Sequence, residues 1–203
     1  MATNVHIFIR TLCLVFSFAF FTAQSAKLGP VILAANTVLI HLQSIMAYAL
    51  DGFAHAAEAL AGSAYGAGDK RRFQRAVFIT TLWSGIMSVL VAIAYGVFGQ
   101  EILGMFTDID SVIALADDYL IWMIAAPLIG FAAFQLDGIF IGTGFTLAMR
   151  NAMVFSTTIY LGMVFWFQSI WGNHGLFLAL TGFMILRSLS LGLYYPRILR
   201  ALD

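Results

Sequence analysis

Four ionisable residues lie inside long apolar stretches of the sequence: Asp51, Glu58, Asp137 and Arg187. A charged side chain within a membrane costs about 3 kcal/mol on insertion scales, so such residues are candidates for ion binding or transport. Three carboxylates against one arginine leave a surplus of negative charge, which can take up a proton or a sodium ion. The competing interpretation is structural, with Arg187 pairing one carboxylate and joining two helices. The sequence leaves both interpretations open.

Asp51 also belongs to a polar stripe. Tyr48, Asp51, His55 and Glu58 are spaced so that they share one side of an α-helix. We predict that this side faces a cavity or a partner helix. The ion-coupling candidates are therefore Asp137, Asp51 and Glu58, and the supporting or charge-pairing candidates are Arg187, His55, Tyr48 and Gln135.

The composition excludes several classes of protein. Of the 203 residues, 62% are hydrophobic and 10% are charged, whereas soluble domains carry roughly 25% charged residues. Most of the surface therefore cannot face water. A formal net charge of zero gives no support for nucleic-acid binding. With Cys13 as the one cysteine, neither an internal disulfide nor a cysteine metal site is possible, and we predict no bound metal and no organic cofactor.

Charge-free windows locate the membrane spans, because a helix needs about 20 apolar residues to cross the hydrocarbon. They predict an all-α membrane protein, a polytopic bundle of about six transmembrane helices in a single lobe. The segment Trp171–Gly175 is the expected turn of the last helical hairpin. A signal peptide, with Arg10 before the apolar run Thr11–Phe21, is the competing interpretation of the first segment. The predicted helices cover about residues 7–26, 31–65, 73–97, 118–147, 151–170 and 175–198.

The second half of the second predicted helix consists almost entirely of small residues. From Ala54 to Gly68 the sequence is mostly Ala, Gly and Ser, which allow helix backbones to approach closely. We expect this half to pack against protein rather than lipid.

An enzymatic interpretation arises at the end of that helix. Gly66–Asp69 matches the GxGD signature of intramembrane aspartyl proteases. However, Lys70 and two arginines follow at once, which places Asp69 in a loop, and the chain contains no Tyr-Asp pair. We therefore predict that the protein is not an enzyme.

Several runs of the sequence together resemble a known family. Lys27–Asn36, Tyr48–Gly62 and Gly66–Arg72, with Gln135–Gly144 and Met149–Met153, are similar to the C-terminal six-helix lobe of multidrug and toxic compound extrusion (MATE) transporters, in particular the DinF-like (DNA-damage-inducible) branch. The resemblance extends over essentially the whole chain. It identifies the chain as the second lobe of such a transporter.

The resemblance implies a function and a set of partners. It implies half of a proton- or sodium-coupled antiporter that exports small cationic or hydrophobic compounds from the bacterial cytoplasmic (inner) membrane. The implied partners are membrane lipid and a first six-helix lobe or a second copy of the chain. By position, Asp137 matches an acid of sodium-coupled relatives, whereas Asp51 and Glu58 are typical of the DinF-like branch. The alternative is a non-transporting membrane protein that associates with a partner through the Ala/Gly-rich face of the second helix.

The distribution of cations predicts the orientation. Six spans place eight cations on one side and only Lys27 on the other, which by the positive-inside rule puts both termini in the cytoplasm. The eight are Arg10, Lys70, Arg71, Arg72, Arg75, Arg150, Arg197 and Arg200.

This orientation is testable with a reporter that fluoresces only in the cytoplasm. We expect fluorescence from fusions at Gly68, Met149 and Asp203 and none from a fusion at Asp108, because the cation-rich loops stay inside. A fluorescent fusion at Asp108 would overturn the orientation.

Overall fold

Five long helices form the part of the chain that the structure, a computed structural model, describes: residues 2–203, with side chains from Asn4 onward. All five are long and apolar enough to cross a membrane, and no strand occurs within the described residues. The all-α membrane fold is thus confirmed. The helices are α1 (Ala2–Lys27), α2 (Pro30–Gly66), α3 (Lys70–Phe106), α4 (Asp110–Gly142) and α5 (Thr146–Arg200).

Helix α5 reverses its direction at Gly172. Its 55 residues would extend about 80 Å if straight, more than twice the hydrocarbon thickness of about 30 Å. Gly172 has φ 55° and ψ −126°, a left-handed conformation that suits glycine. A Cβ on Gly175 would collide with the carbonyl oxygen of Phe167, although a straight helix would hold these residues about 12 Å apart. The first arm (residues 146–171) and the second arm (residues 173–200) therefore lie antiparallel, and the chain makes about six crossings.

Several helix boundaries differ from the sequence prediction. Helix α4 runs from Asp110 to Gly142 rather than over residues 118–147, and it ends early because Gly144 takes a positive φ of 77° that breaks the helix. Helix α3 continues past residue 97 to Phe106, bending at Phe98. Beyond the bend it buries Leu103 completely, and this burial accounts for the extra turns.

The small residues of α2 form a close contact with α4. A Cβ on Gly138 would collide with the carbonyl oxygen of Ala54, and one on Gly142 with that of Glu58. A Cβ on Gly62 would lie 2.7 Å from the carbonyl oxygen of Gly142. The predicted packing against protein is confirmed, and it occurs within the chain. Since this seam occupies the small-residue face, the alternative of an external partner at that face is not favoured. The buried alanines of the face are Ala54, Ala57, Ala61 and Ala64.

Asp69 caps the start of α3. Its carboxylate Oδ1 accepts a hydrogen bond from the backbone N–H of Arg72 at 2.9 Å, a typical arrangement for an N-cap aspartate. The residue that completes the GxGD sequence thus has a structural task at a helix end, in a loop as predicted.

A buried amide pair fixes the α5 reversal to the rest of the bundle. Asn36 donates to Oδ1 of Asn173 at 2.7 Å, and Asn173 donates back to Oδ1 of Asn36 at 2.9 Å. Asn36 also donates to the hydroxyl oxygen of Ser25 at 2.7 Å. The ends of α1 and α2 and the turn of α5 are thereby joined at one point.

The α2–α4 seam predicts an effect of adding a single methyl group. Gly138→Ala should destabilise the protein by about 1–3 kcal/mol because the helices must separate to admit the Cβ. Gly162→Ala is the matched control, since nothing lies within 4 Å of its Cβ position. Thermal melting in detergent should separate the two variants. If Gly138→Ala melted at the temperature of the control, the close seam would be wrong.

Candidate functional site

A single buried carboxylate joins three helices. The guanidinium groups of Arg10 on α1 and Arg187 on the second arm of α5 both donate to Oδ2 of Asp137 on α4. The Asp137 side chain is 7% exposed and that of Arg187 is 1% exposed. Arg187 thus pairs with the carboxylate of Asp137, as the structural interpretation of the sequence expects.

An aromatic ring orients Arg187 toward this carboxylate. The guanidinium carbon lies 5.6 Å from the ring centroid of Phe134, a favourable cation–π distance. Phe134 precedes Asp137 by three residues, so both side chains project from the same side of α4. One face of α4 therefore offers Arg187 both a stacking surface and a counter-charge.

A cavity of about 300 Å³ opens beside this ion cluster. Arg10, Arg187 and Asp51 of α2 all line it. The Asp51 carboxylate forms no hydrogen bond or ion pair with any other described side chain within 4 Å. With both aspartates ionised, the two arginines and two aspartates sum to zero charge. The remaining polar residues of the lining are Gln43, Ser44 and Tyr48.

The predicted polar stripe of α2 divides between this cavity and the outer surface. Asp51 is partly buried at the cavity, and Tyr48 lies at its edge with 76% of its surface exposed. His55 is exposed and lies 3.4 Å from the carboxylate of Glu58, to which its Nδ1 points. The structure therefore brings Asp51, Tyr48 and the Arg187–Asp137 pair together and leaves His55 and Glu58 outside the cavity.

Gln135 belongs to a different contact. Its Nε2 donates to the hydroxyl oxygen of Thr80 at 2.6 Å, which joins α4 to α3. Because it lies two residues before Asp137 in a helix, its side chain projects to the other side of α4. It is not part of the charged cavity.

Arg10 is the residue that sequence reasoning missed. It was expected among the cytoplasmic cations, but α1 begins at Ala2, so Arg10 lies more than two turns inside the helix and reaches Asp137. This correction leaves seven cations against one in the orientation argument. The available signal was the apolar run before Arg10, including Val5, Ile7 and Phe8, which extends the helix toward the N-terminus.

A metal site needs several ligand side chains close together. Within residues 4–203 no group of three or more His, Cys, Asp or Glu side chains comes together in a way that could hold a metal ion.

The two-arginine contact predicts the stability of variants. Asp137→Asn should cost about 3–5 kcal/mol, because it leaves the buried Arg187 and the partly buried Arg10 without their paired carboxylate. Arg187→Leu should cost less, since Asp137 keeps Arg10 as its partner. Asp118→Asn is the matched control: Asp118 is exposed and forms no ion pair with another described residue. Thermal melting in detergent measures all three, and equal melting of Asp137→Asn and Asp118→Asn would contradict the buried cluster.

Comparison with known sequences identifies the family of the chain. The MatE family model matches residues 7–167. Over 197 residues the chain is 39% identical to the DNA damage-inducible protein F of Escherichia coli (strain K12). That alignment covers 97% of this chain and 43% of the relative, so the chain spans less than half of the relative's length.

Solved structures share the fold. A crystal structure of MATE in the bent conformation superposes with a TM-score of 0.83 at 19% identity and covers 94% of this chain and 43% of its own. A MOP superfamily transporter from Pyrococcus furiosus gives a TM-score of 0.81 at 19% identity, with the same coverage of 94% and 43%. At this identity the likeness concerns the fold alone. With the family model matching most of its length and a curated relative at 39% identity, the chain belongs to the MatE family of multidrug and toxic compound extrusion transporters.

Proposed function

We propose that this chain is the C-terminal lobe of a cation-coupled antiporter that exports small cationic or hydrophobic compounds across the bacterial cytoplasmic membrane. The observation that carries the proposal is the cavity of about 300 Å³ inside the bundle, into which Asp51 presents a carboxylate with no partner among the described side chains. Intramembrane carboxylates that face cavities are typical of ion pathways and proton relays. Membership of a transporter family supports the same function.

Within the cavity, we assign the coupling role to Asp51 rather than Asp137. Asp137 already pairs with two guanidiniums, and neutralising it would leave the buried Arg187 and the partly buried Arg10 unpaired, which is costly. Asp51 can gain or lose a cation without breaking an existing bond. Glu58 lies outside the cavity beside His55 and takes no coupling role in this proposal.

The coupling ion that best suits this geometry is a proton. A sodium ion needs several oxygen ligands at once, whereas a proton binds to one carboxylate oxygen. The charged neighbours of Asp51 across the cavity are Arg10 and Arg187, which offer no lone pairs to a metal cation. A proton needs only the Asp51 carboxylate, whereas a sodium ion would also need oxygens from Gln43, Ser44 or Tyr48 of the lining, so a proton is the coupling ion in this proposal.

Transport by this lobe requires a second lobe that completes the substrate site. In transporters built from repeated halves the substrate site lies between the halves, which rock against each other. On α2, Tyr48 and His55 are exposed and Glu58 is partly exposed, and lipid is a costly environment for such side chains. We propose that a first six-helix lobe, or a second copy of this chain, covers this surface.

Export assays in cells test the function. We expect no ethidium efflux and no norfloxacin resistance from this chain alone, and both when the cognate first lobe is expressed with it. At equal expression, Asp51→Asn should reduce proton-driven efflux to the level of an empty vector, since the amide cannot carry a proton in exchange. Asp118→Asn makes the same chemical change at an exposed position and should leave efflux unchanged.

Two results would overturn the proposal. Efficient export by the isolated, monomeric chain would remove the need for a second lobe. Unchanged proton-driven efflux in Asp51→Asn, with the first lobe present, would remove Asp51 from coupling.

A further inference from the structure

A second cavity, of about 370 Å³, opens between the two arms of α5 and is separate from the Asp51 cavity. Its apolar wall is formed by Ala152, Phe155 and Leu193. Its polar rim is formed by Asn151, Tyr194 and Arg197, and Ser190 lies about two helical turns from Arg197 along the second arm. The cavity thus combines an apolar groove with one arginine and neutral polar groups.

The rim carries positive charge and no acid. The guanidinium carbon of Arg197 lies 4.8 Å from the ring centroid of Tyr194, and this stacking leaves its N–H donors free at the edge of the guanidinium plane. Arg150 does not line the cavity but lies next to Asn151, to whose Oδ1 its Nε and a terminal nitrogen donate at 3.2 and 2.8 Å; its other terminal nitrogen lies 3.4 Å from Nδ1 of His6 on α1. Neither arginine has a carboxylate within 4 Å among the described side chains. The rim is therefore complementary to an anion.

The surface around the groove is suited to hydrocarbon. Leu193 is 82% exposed, and Val154, Phe155 and Leu189 are exposed next to it along the two arms. Large apolar side chains without protein neighbours on a membrane-spanning hairpin are in their preferred environment against acyl chains. The face of the bundle that carries the groove is therefore suited to contact with acyl chains.

We propose that this groove is a binding site for one anionic phospholipid. The phosphate lies beside Arg197, which supplies the charge in the cavity lining; Arg150 adds charge from beside the cavity, and the side-chain amide N–H groups of Asn151 are neutral donors. One acyl chain follows the apolar wall past Phe155 and Leu193. Basic pockets between transmembrane helices bind anionic head groups, and arginine forms strong charge-assisted hydrogen bonds to phosphate. A zwitterionic lipid fits less well, because its ammonium group would lie near two arginines. The inference is independent of the transport proposal.

Native mass spectrometry of the purified full chain tests the site. We expect dioleoyl-phosphatidylglycerol to remain bound in preference to dioleoyl-phosphatidylcholine, whose acyl chains are identical. Arg197→Gln should weaken phosphatidylglycerol binding about fivefold, the effect expected for one basic residue at a membrane surface. Arg200→Gln is the matched control, since Arg200 lies at the same end of α5 but does not line the cavity. Arg197→Lys should retain most of the binding, which separates lost charge from lost folding.

Each remaining outcome contradicts the proposal. Equal retention of the two lipids would remove the anion selectivity, and equal loss in Arg197→Gln and Arg200→Gln would place the site elsewhere. If inorganic phosphate raised the melting temperature as much as phosphatidylglycerol did, and Arg197→Gln abolished both effects, the groove would bind a free anion rather than a lipid.

Discussion

The rest of this bundle depends on keeping Asp137 ionised between Arg10 and Arg187. A buried charge is tolerated only when it is paired and hydrogen-bonded, so α1, α4 and the second arm of α5 must remain packed together. One carboxylate for two guanidiniums leaves an excess positive charge. Asp51, on the other side of the cavity, supplies the compensating negative charge. The unpartnered acid and the paired acid are therefore parts of one electrostatic arrangement.

The fold was largely predictable, because the membrane restricts the choice of structure. Every backbone polar group must be bonded within the hydrocarbon, so charge-free windows of about 20 residues can only be helices. The Ala/Gly-rich half of α2 indicated close packing, and Gly138 and Gly142 of α4 provide the facing surface. Turn chemistry near Gly172 located the reversal of α5. Only the exact ends of helices, such as that of α4, required local backbone angles that the sequence pattern does not specify.

The site was less predictable, because it depends on how each helix is rotated about its axis. Sequence spacing placed Tyr48, Asp51, His55 and Glu58 on one side of α2. Only Tyr48 and Asp51 line the cavity, and His55 and Glu58 lie outside it. Arg10 was assigned to the cytoplasm because flanking cations usually mark a membrane boundary. Here the apolar residues before Arg10 extend α1 toward the N-terminus. The Arg10 guanidinium pairs with Asp137, which lies 127 positions away in the sequence.

The seam between α2 and α4 has a consequence for motion. Ala54 lies one turn from Asp51 and touches the backbone of Gly138, the residue after Asp137. Two helices in backbone contact cannot slide without a collision, so they move as one rigid unit. Asp51 and Asp137 are thus held at a constant distance from each other. A conformational change at the site that accompanies protonation of Asp51 must therefore move the arginines, carried by α1 and the second arm of α5.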